Sequence, residues 1–166
     1  MAWVYVGIGS NIVPERHIRS GLAALRRQFG PLTVSTVYAN PAVGFAGDDF
    51  FNLVVGFETC LPVRTVAADL RSIESNHRHR GDGPKLGSRA LDLDLLLYDD
   101  LILREDGLCI PRDEILRHAF VLKPLADVAG GRRHPLLGLS FAELWAAFDQ
   151  SRERLTPVAL EFQGTG

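Results

Sequence analysis

From Leu91 to Tyr98 the chain reads Leu-Asp-Leu-Asp-Leu-Leu-Leu-Tyr, and this pattern leaves few ways for the segment to fold. A period of two belongs to a β-strand, in which successive side chains alternate faces. Leu91, Leu93 and Leu95 therefore share the apolar face, and Asp92 and Asp94 share the other, with Cα atoms roughly 6.5 to 7 Å apart. Two ionised carboxylates that close destabilise a half-buried face unless a cation or a basic group offsets them. Hard divalent ions such as Mg²⁺ take oxygen ligands and work with phosphates. The competing reading is an acid pair facing water on the wet side of an antiparallel sheet, with Arg89 as a surface partner.

Around this strand the hydrophobic periodicity alternates between two and about 3.6. Residues 3 to 8 form an apolar strand that ends in Gly7-Ile8-Gly9-Ser10-Asn11, and Pro14 opens a helix carrying Ile18, Leu22, Leu25 and Phe29 at helical spacing. Strands are predicted at about 32 to 39 and 50 to 59, separated by the long connection 40 to 49, and a helix from about Pro62 to His77. A polar, glycine-rich loop then runs from Asn76 to Ser88. Strand, helix, strand, strand, helix, strand is the order of a ferredoxin-like α+β sandwich, βαββαβ. Additional C-terminal elements follow: strands at Leu101 to Leu103 and Leu108 to Ile110, short helices within 112 to 128, a helix from about Ser140 to Phe148, and a last strand within Leu155 to Phe162. The 166 residues, 46% hydrophobic, suit one domain spanning 1 to 166.

A net charge of −2 gives no general electrostatic reason to expect nucleic acid or an anionic membrane as partner, so any anionic ligand must be held locally. Cys60 and Cys109 follow no C-x-x-C spacing and read as reduced, buried thiols. The first residues lack a charged segment followed by an apolar stretch, and no run reaches the length of a membrane span. The expectation is a cytoplasmic protein with no obligate protein partner.

Four collinear segments then resemble one family. Tyr5-Val6-Gly7-Ile8-Gly9-Ser10-Asn11, Tyr38 through Asn52 with its trailing Leu-Val-Val-Gly-Phe-Glu-Thr, Arg71-Ser72-Ile73-Glu74 followed by Arg89-Ala90-Leu91-Asp92-Leu93-Asp94, and Ile110-Pro111 to Phe120-Val121-Leu122-Lys123-Pro124-Leu125 are similar to the 6-hydroxymethyl-7,8-dihydropterin pyrophosphokinases of folate biosynthesis. The resemblance implies transfer of the β,γ-pyrophosphoryl group of ATP to the hydroxymethyl oxygen of the pterin, with release of AMP. It implies two Mg²⁺ ions on Asp92 and Asp94, with Arg89 beside them, as the catalytic set, and a pterin pocket of Gly9, Pro41, Val43, Phe50, Asn52 and Phe120. Phe50 and Phe120 would stack on the flat ring while Asn52 reads its edge, which is what a heteroaromatic ligand requires. ATP would be held by Glu74, Lys85, Arg89, Leu95, Arg112, Arg117 and His118. Five of these residues also have a plain structural reading: Phe50, Phe120 and Asn52 as strand and helix core, Glu74 and Lys85 as solvated surface charges.

The departures from the family pattern fall mainly on the nucleotide side. Leu86 stands where the family usually has tryptophan, His79 and Gly81 where arginines are common, Arg112 where histidine is common, His118 where arginine precedes the Ala-Phe pair, and Asn40 where threonine is common. They suggest an alternative, a catalytically weak or donor-altered pterin-binding protein of the same fold, and behind it a purely structural ferredoxin-like module. Residues 80 to 84 are expected to form a flap. Gly83-Pro84-Lys85-Leu86-Gly87-Ser88 precedes a strand and lacks Gly-Lys-[Ser/Thr], so it is no Walker loop. His77-x-His79 lacks a third metal ligand nearby, and no nucleophile elbow is present.

Overall fold

β1 (Ala2–Ser10) is apolar on both faces and lies inside the sheet: Val4, Val6 and Ile8 enter one core, Tyr5 a second. The computed structural model describes residues 1–41, 48–77 and 90–160. After β1 come α1 (Pro14–Phe29), β2 (Thr33–Val34), β3 (Val37–Asn40), β4 (Phe50–Thr59), α2 (Val63–Asn76) and β5 (Asp92–Tyr98). The main sheet has the order β5-β1-β4-β3, extended by β8 (Thr156–Val158) beyond β3, and every paired neighbour is antiparallel. This is the expected ferredoxin-like βαββαβ arrangement.

Two helices cover one face. α1 starts with Pro14 in its first turn, buries Ile18, Leu22 and Leu25, and stops at Gly30, whose φ of 88° suits a residue without Cβ. α2 buries Val66, Leu70 and Ile73. Both pack against Leu91, Leu93 and Leu95, the apolar face predicted for the acidic strand. The opposite face carries a second core of Tyr5, Val54, Leu96, Leu97, Leu122, Leu125 and Phe141. It is closed by α4 (Ala119–Ala129) and α5 (Phe141–Ala147), the latter started by a reciprocal Ser140–Glu143 capping box. Between β5 and α4 lie the hairpin β6 (Leu103–Glu105) and β7 (Leu108–Ile110), which turns at Gly107 (φ 81°), and the short α3 (Glu114–Arg117).

Three expectations change. The strand expected over 32 to 39 is broken into β2 and β3, because Ser35 satisfies β4 with its side chain. Its N–H donates to the Val54 carbonyl at 2.9 Å, and its Oγ accepts from the Val54 N–H at 2.9 Å. The strand expected at Leu101 to Leu103 begins at Leu103 instead. Cys60 and Cys109 are exposed free thiols rather than buried ones. The proposed flap, and most of the 40 to 49 connection, lie outside the described residues.

Candidate active site

The register of the sheet builds the site. Gly9 on β1 sits opposite Asn52 of β4 on one side and Asp92 of β5 on the other; Gly7 likewise sits between Val54 and Asp94. Two parallel rows result, each with a glycine in the middle. Strands lie 4.7–4.9 Å apart, so the backbones of Asn52 and Asp92 are separated by about 9.5 Å across a floor without side chains. A Cβ on Gly9 would stand 2.9 Å from Asn52 Oδ1, so glycine is what leaves that carboxamide in place.

Above these rows lies a cavity of about 200 Å³, whose walls include Gly9, Phe50, Asn52, Asp92, Asp94, Arg112, Glu114 and Phe120. The acid pair and the aromatic and amide groups expected around a pterin therefore share one cleft. Asn52 is held from behind: its Nδ2 donates to Asn40 Oδ1, while Asn40 Nδ2 donates to the Pro41 carbonyl at 3.1 Å. Asn40, 5% exposed, was noticed in the sequence only as a departure, and the structure makes it the support of Asn52.

On the acidic wall, β5 carries one extra residue relative to β1. Val6 pairs with Leu95 and Tyr5 with Leu97, leaving Leu96 as a bulge whose carbonyl accepts the Arg112 backbone N–H at 3.1 Å. That bond brings the Arg112 guanidinium to the acids: Nη2 lies 3.4 Å from Asp94 Oδ1 and Nε 3.2 Å from Glu114 Oε2. Glu114 also meets Arg117 at 3.5 Å. Glu74, from the last turn of α2, accepts the Leu93 N–H at 2.8 Å on the outer edge of β5 and is repelled by the charge of nearby Asp92.

Among the described residues, Arg112 and Arg117 do not neutralise this cluster. Burial, reinforced by Asp92 and opposed by Arg112, lifts Asp94 to about 6. Burial also lifts Glu74 to about 7, against the stabilising Leu93 N–H and with the added repulsion of Asp92 and Asp94. Asp94 keeps 38% of its side chain exposed toward the cleft, so the excess charge is reachable from solvent. Paired hard oxygen donors with uncompensated charge fit a divalent cation. Among the described residues no group of three or more His, Cys, Asp or Glu forms an all-protein metal cage.

The remaining predicted site residues divide. Arg112 and Phe120 line the cleft. Arg117 is exposed and turned to Glu114, and His118 meets Glu153 instead of the cleft. Leu95 puts its side chain into the α1/α2 core, leaving only backbone for a ligand. Pro41 is exposed at the end of the described segment, while Val43, Lys85 and Arg89 lie outside the described residues. His77 uses both ring nitrogens structurally, at 2.8 Å from the Ile73 carbonyl and 2.8 Å from Ser20 Oγ. Among residues the sequence did not single out, Leu96 was legible as the next member of the Asp92, Asp94 alternation. Glu114 and Glu153 carried no local signal.

Residues 5–130 match the family model for 7,8-dihydro-6-hydroxymethylpterin-pyrophosphokinase (HPPK). A Pseudomonas aeruginosa protein named 2-amino-4-hydroxy-6-hydroxymethyldihydropteridine pyrophosphokinase is 35% identical over 148 residues, spanning 87% of this chain and 90% of that protein. A Pneumocystis carinii folic acid synthesis protein, fol1, is 32% identical over 144 residues, which is 84% of this chain but only 19% of that longer protein. In fold, a Plasmodium falciparum HPPK-DHPS crystal structure superposes with a TM-score of 0.71 over 87% of this chain and 43% of that one, at 11% identity. With the match covering both walls of the cleft and the sheet register that joins them, the chain belongs to the 7,8-dihydro-6-hydroxymethylpterin-pyrophosphokinase family.

Proposed function

We propose that this chain transfers the pyrophosphoryl group of ATP to 6-hydroxymethyl-7,8-dihydropterin, giving AMP and the pterin diphosphate. The observation that supports this reading is the row Asn52–Gly9–Asp92, which sets the Asn52 amide and the Asp92 carboxylate on one floor, two strands apart. A bicyclic ring lying over Gly9, between Phe50 and Phe120 and with its edge at Asn52, directs its one-carbon arm toward Asp92 and Asp94. The hydroxymethyl oxygen then attacks the β-phosphorus, the bond from that phosphorus to the α-phosphate oxygen breaks, and the hydroxyl proton is lost.

Asp92 and Asp94 would hold Mg²⁺, two ions in our reading. Bound there, Mg²⁺ would supply charge compensation at the phosphate oxygens and acidify the attacking hydroxyl. Arg112 adds a fixed positive charge on the same wall, and Arg89 and Lys85 are proposed to meet the triphosphate. Most of the rate enhancement then comes from placement and electrostatics.

Incubation with ATP, Mg²⁺ and 6-hydroxymethyl-7,8-dihydropterin tests the reading. AMP and pterin diphosphate in equal amounts are expected. Pterin binding without AMP would replace it by a binding protein of the same fold, and no binding of either ligand would remove it.

A further inference from the structure

The ring wall of the cleft is fastened by a residue outside the matched segment. Glu153 lies in the chain between α5 and β8, beyond residue 130 where the family match ends. Its Oε1 accepts the N–H of Ala119, the first residue of α4, at 2.8 Å. Its Oε2 lies 3.0 Å from His118 Nδ1. The His118 ring in turn stacks on Phe120, with centroids 4.6 Å apart and planes at 21°. Phe120 lines the cleft.

Each contact has a physical reason to be there. The N-cap of α4 is His118, which makes no side-chain cap, so the first N–H of the helix needs an outside acceptor. A carboxylate at a helix N-terminus also complements the helix dipole. With its side chain 18% exposed, Glu153 makes these bonds in a largely dry setting, where they hold geometry well. His118, anchored at Nδ1, loses rotational freedom and offers Phe120 a fixed flat surface. An unsupported phenylalanine at the start of a helix would instead lose rotamer freedom on binding a ligand.

We infer that Glu153 is a positioning residue for the pterin: through His118 it fixes the plane of Phe120, so that the ring wall is already in its binding orientation before substrate arrives. The inference rests on the proposed pterin reading, and it gives His118 a task on the pterin side of the cleft.

The test compares the full chain with Glu153→Ala and Glu153→Gln, measuring pterin affinity by fluorescence titration with Mg²⁺ and a non-hydrolysable ATP analogue, and KM for each substrate where AMP forms. Loss of one supported aromatic contact predicts a rise in pterin Kd and KM of about three- to tenfold for Glu153→Ala. The kcat and the KM for ATP are expected to stay within about twofold of wild type. Glu153→Gln can still accept from Ala119 and donate to His118, and is expected to recover most of the affinity. Unchanged pterin affinity in Glu153→Ala overturns the inference, as does a parallel loss in both KM values and kcat, or a Gln variant as impaired as the Ala variant. Should Glu153→Ala fail to fold, Glu153→Asp, one methylene too short to reach Ala119 and His118 together, serves in its place with the same expected split and the same overturning results. Absence of AMP from wild type would remove the proposed reaction alone, because the variant to wild-type ratio of pterin affinity still decides the positioning role. Absence of pterin binding in wild type would remove both.

Discussion

Asp94 illustrates how one side chain can be costly to the fold and, in the proposed reading, serve the reaction. Burial and Asp92 both disfavour its ionised form, and Arg112, shared with Glu114, returns only part of what is lost. Replacing it by asparagine removes the repulsion and keeps the shape. Asp94→Asn is therefore expected to fold with an unchanged or slightly higher Tm at pH 7.5, while kcat for AMP formation falls at least about 100-fold, since a metal ligand supplies several kcal/mol of transition-state stabilisation. Thermal unfolding and initial rates on the same preparation check both halves. A variant of undiminished kcat would remove Asp94 from the reaction.

At the level of elements, the glycines of the central strands decide what can approach what. Gly56 on β4 faces Tyr5 of β1, and a Cβ there would come within 2.7 Å of Tyr5 Cε1, a buried ring that cannot simply swing into water. Gly56→Ala is expected to destabilise the protein by about 1–3 kcal/mol, the usual range for overpacking, as read from urea unfolding. The elements themselves were largely legible: β1, α1, β4, α2 and β5 follow from periodicity, Pro14 and Gly30, and local pattern suffices because each element has one face dictated by the core. The break between β2 and β3 was not, because it depends on Ser35 finding Val54 on a neighbouring strand. The same division holds for the site. Asp92 and Asp94 declare themselves within three residues of sequence. Asn40 behind Asn52 and Glu153 behind His118 are partnerships across loops, and nothing in local spacing encodes them.

For the molecule as a whole, the acid cluster ties folding stability to pH. The carboxyls of Asp94 and Glu74 titrate near 6 and 7 in the folded chain, against ordinary values of 3.8 and 4.5, so between those limits the native state binds more protons than the unfolded chain. Stability from this source is fully present below about pH 4 and declines as pH rises through 6 to 7. Charges elsewhere follow their own titrations, so the clean observable is a difference. Relative to Asp94→Asn, wild type without Mg²⁺ is expected to lose Tm as pH rises from 5 to 8, and Mg²⁺ with an ATP analogue is expected to restore it, more at pH 8 than at pH 5, because the ion binds the deprotonated acids. A Tm difference that does not move with pH would separate the cluster from the stability of the fold.

Glu74 also has a consequence for solubility. β5 ends the sheet among the described residues, and the end strand of a sheet is the kind of template on which a second chain can zip itself; the Glu74 carboxylate occupies the Leu93 N–H, and at the far margin β8 is only three residues long with Pro157 at its centre. The same acid that crowds Asp92 and Asp94 thus blunts one border of the sheet against fibre-like self-assembly.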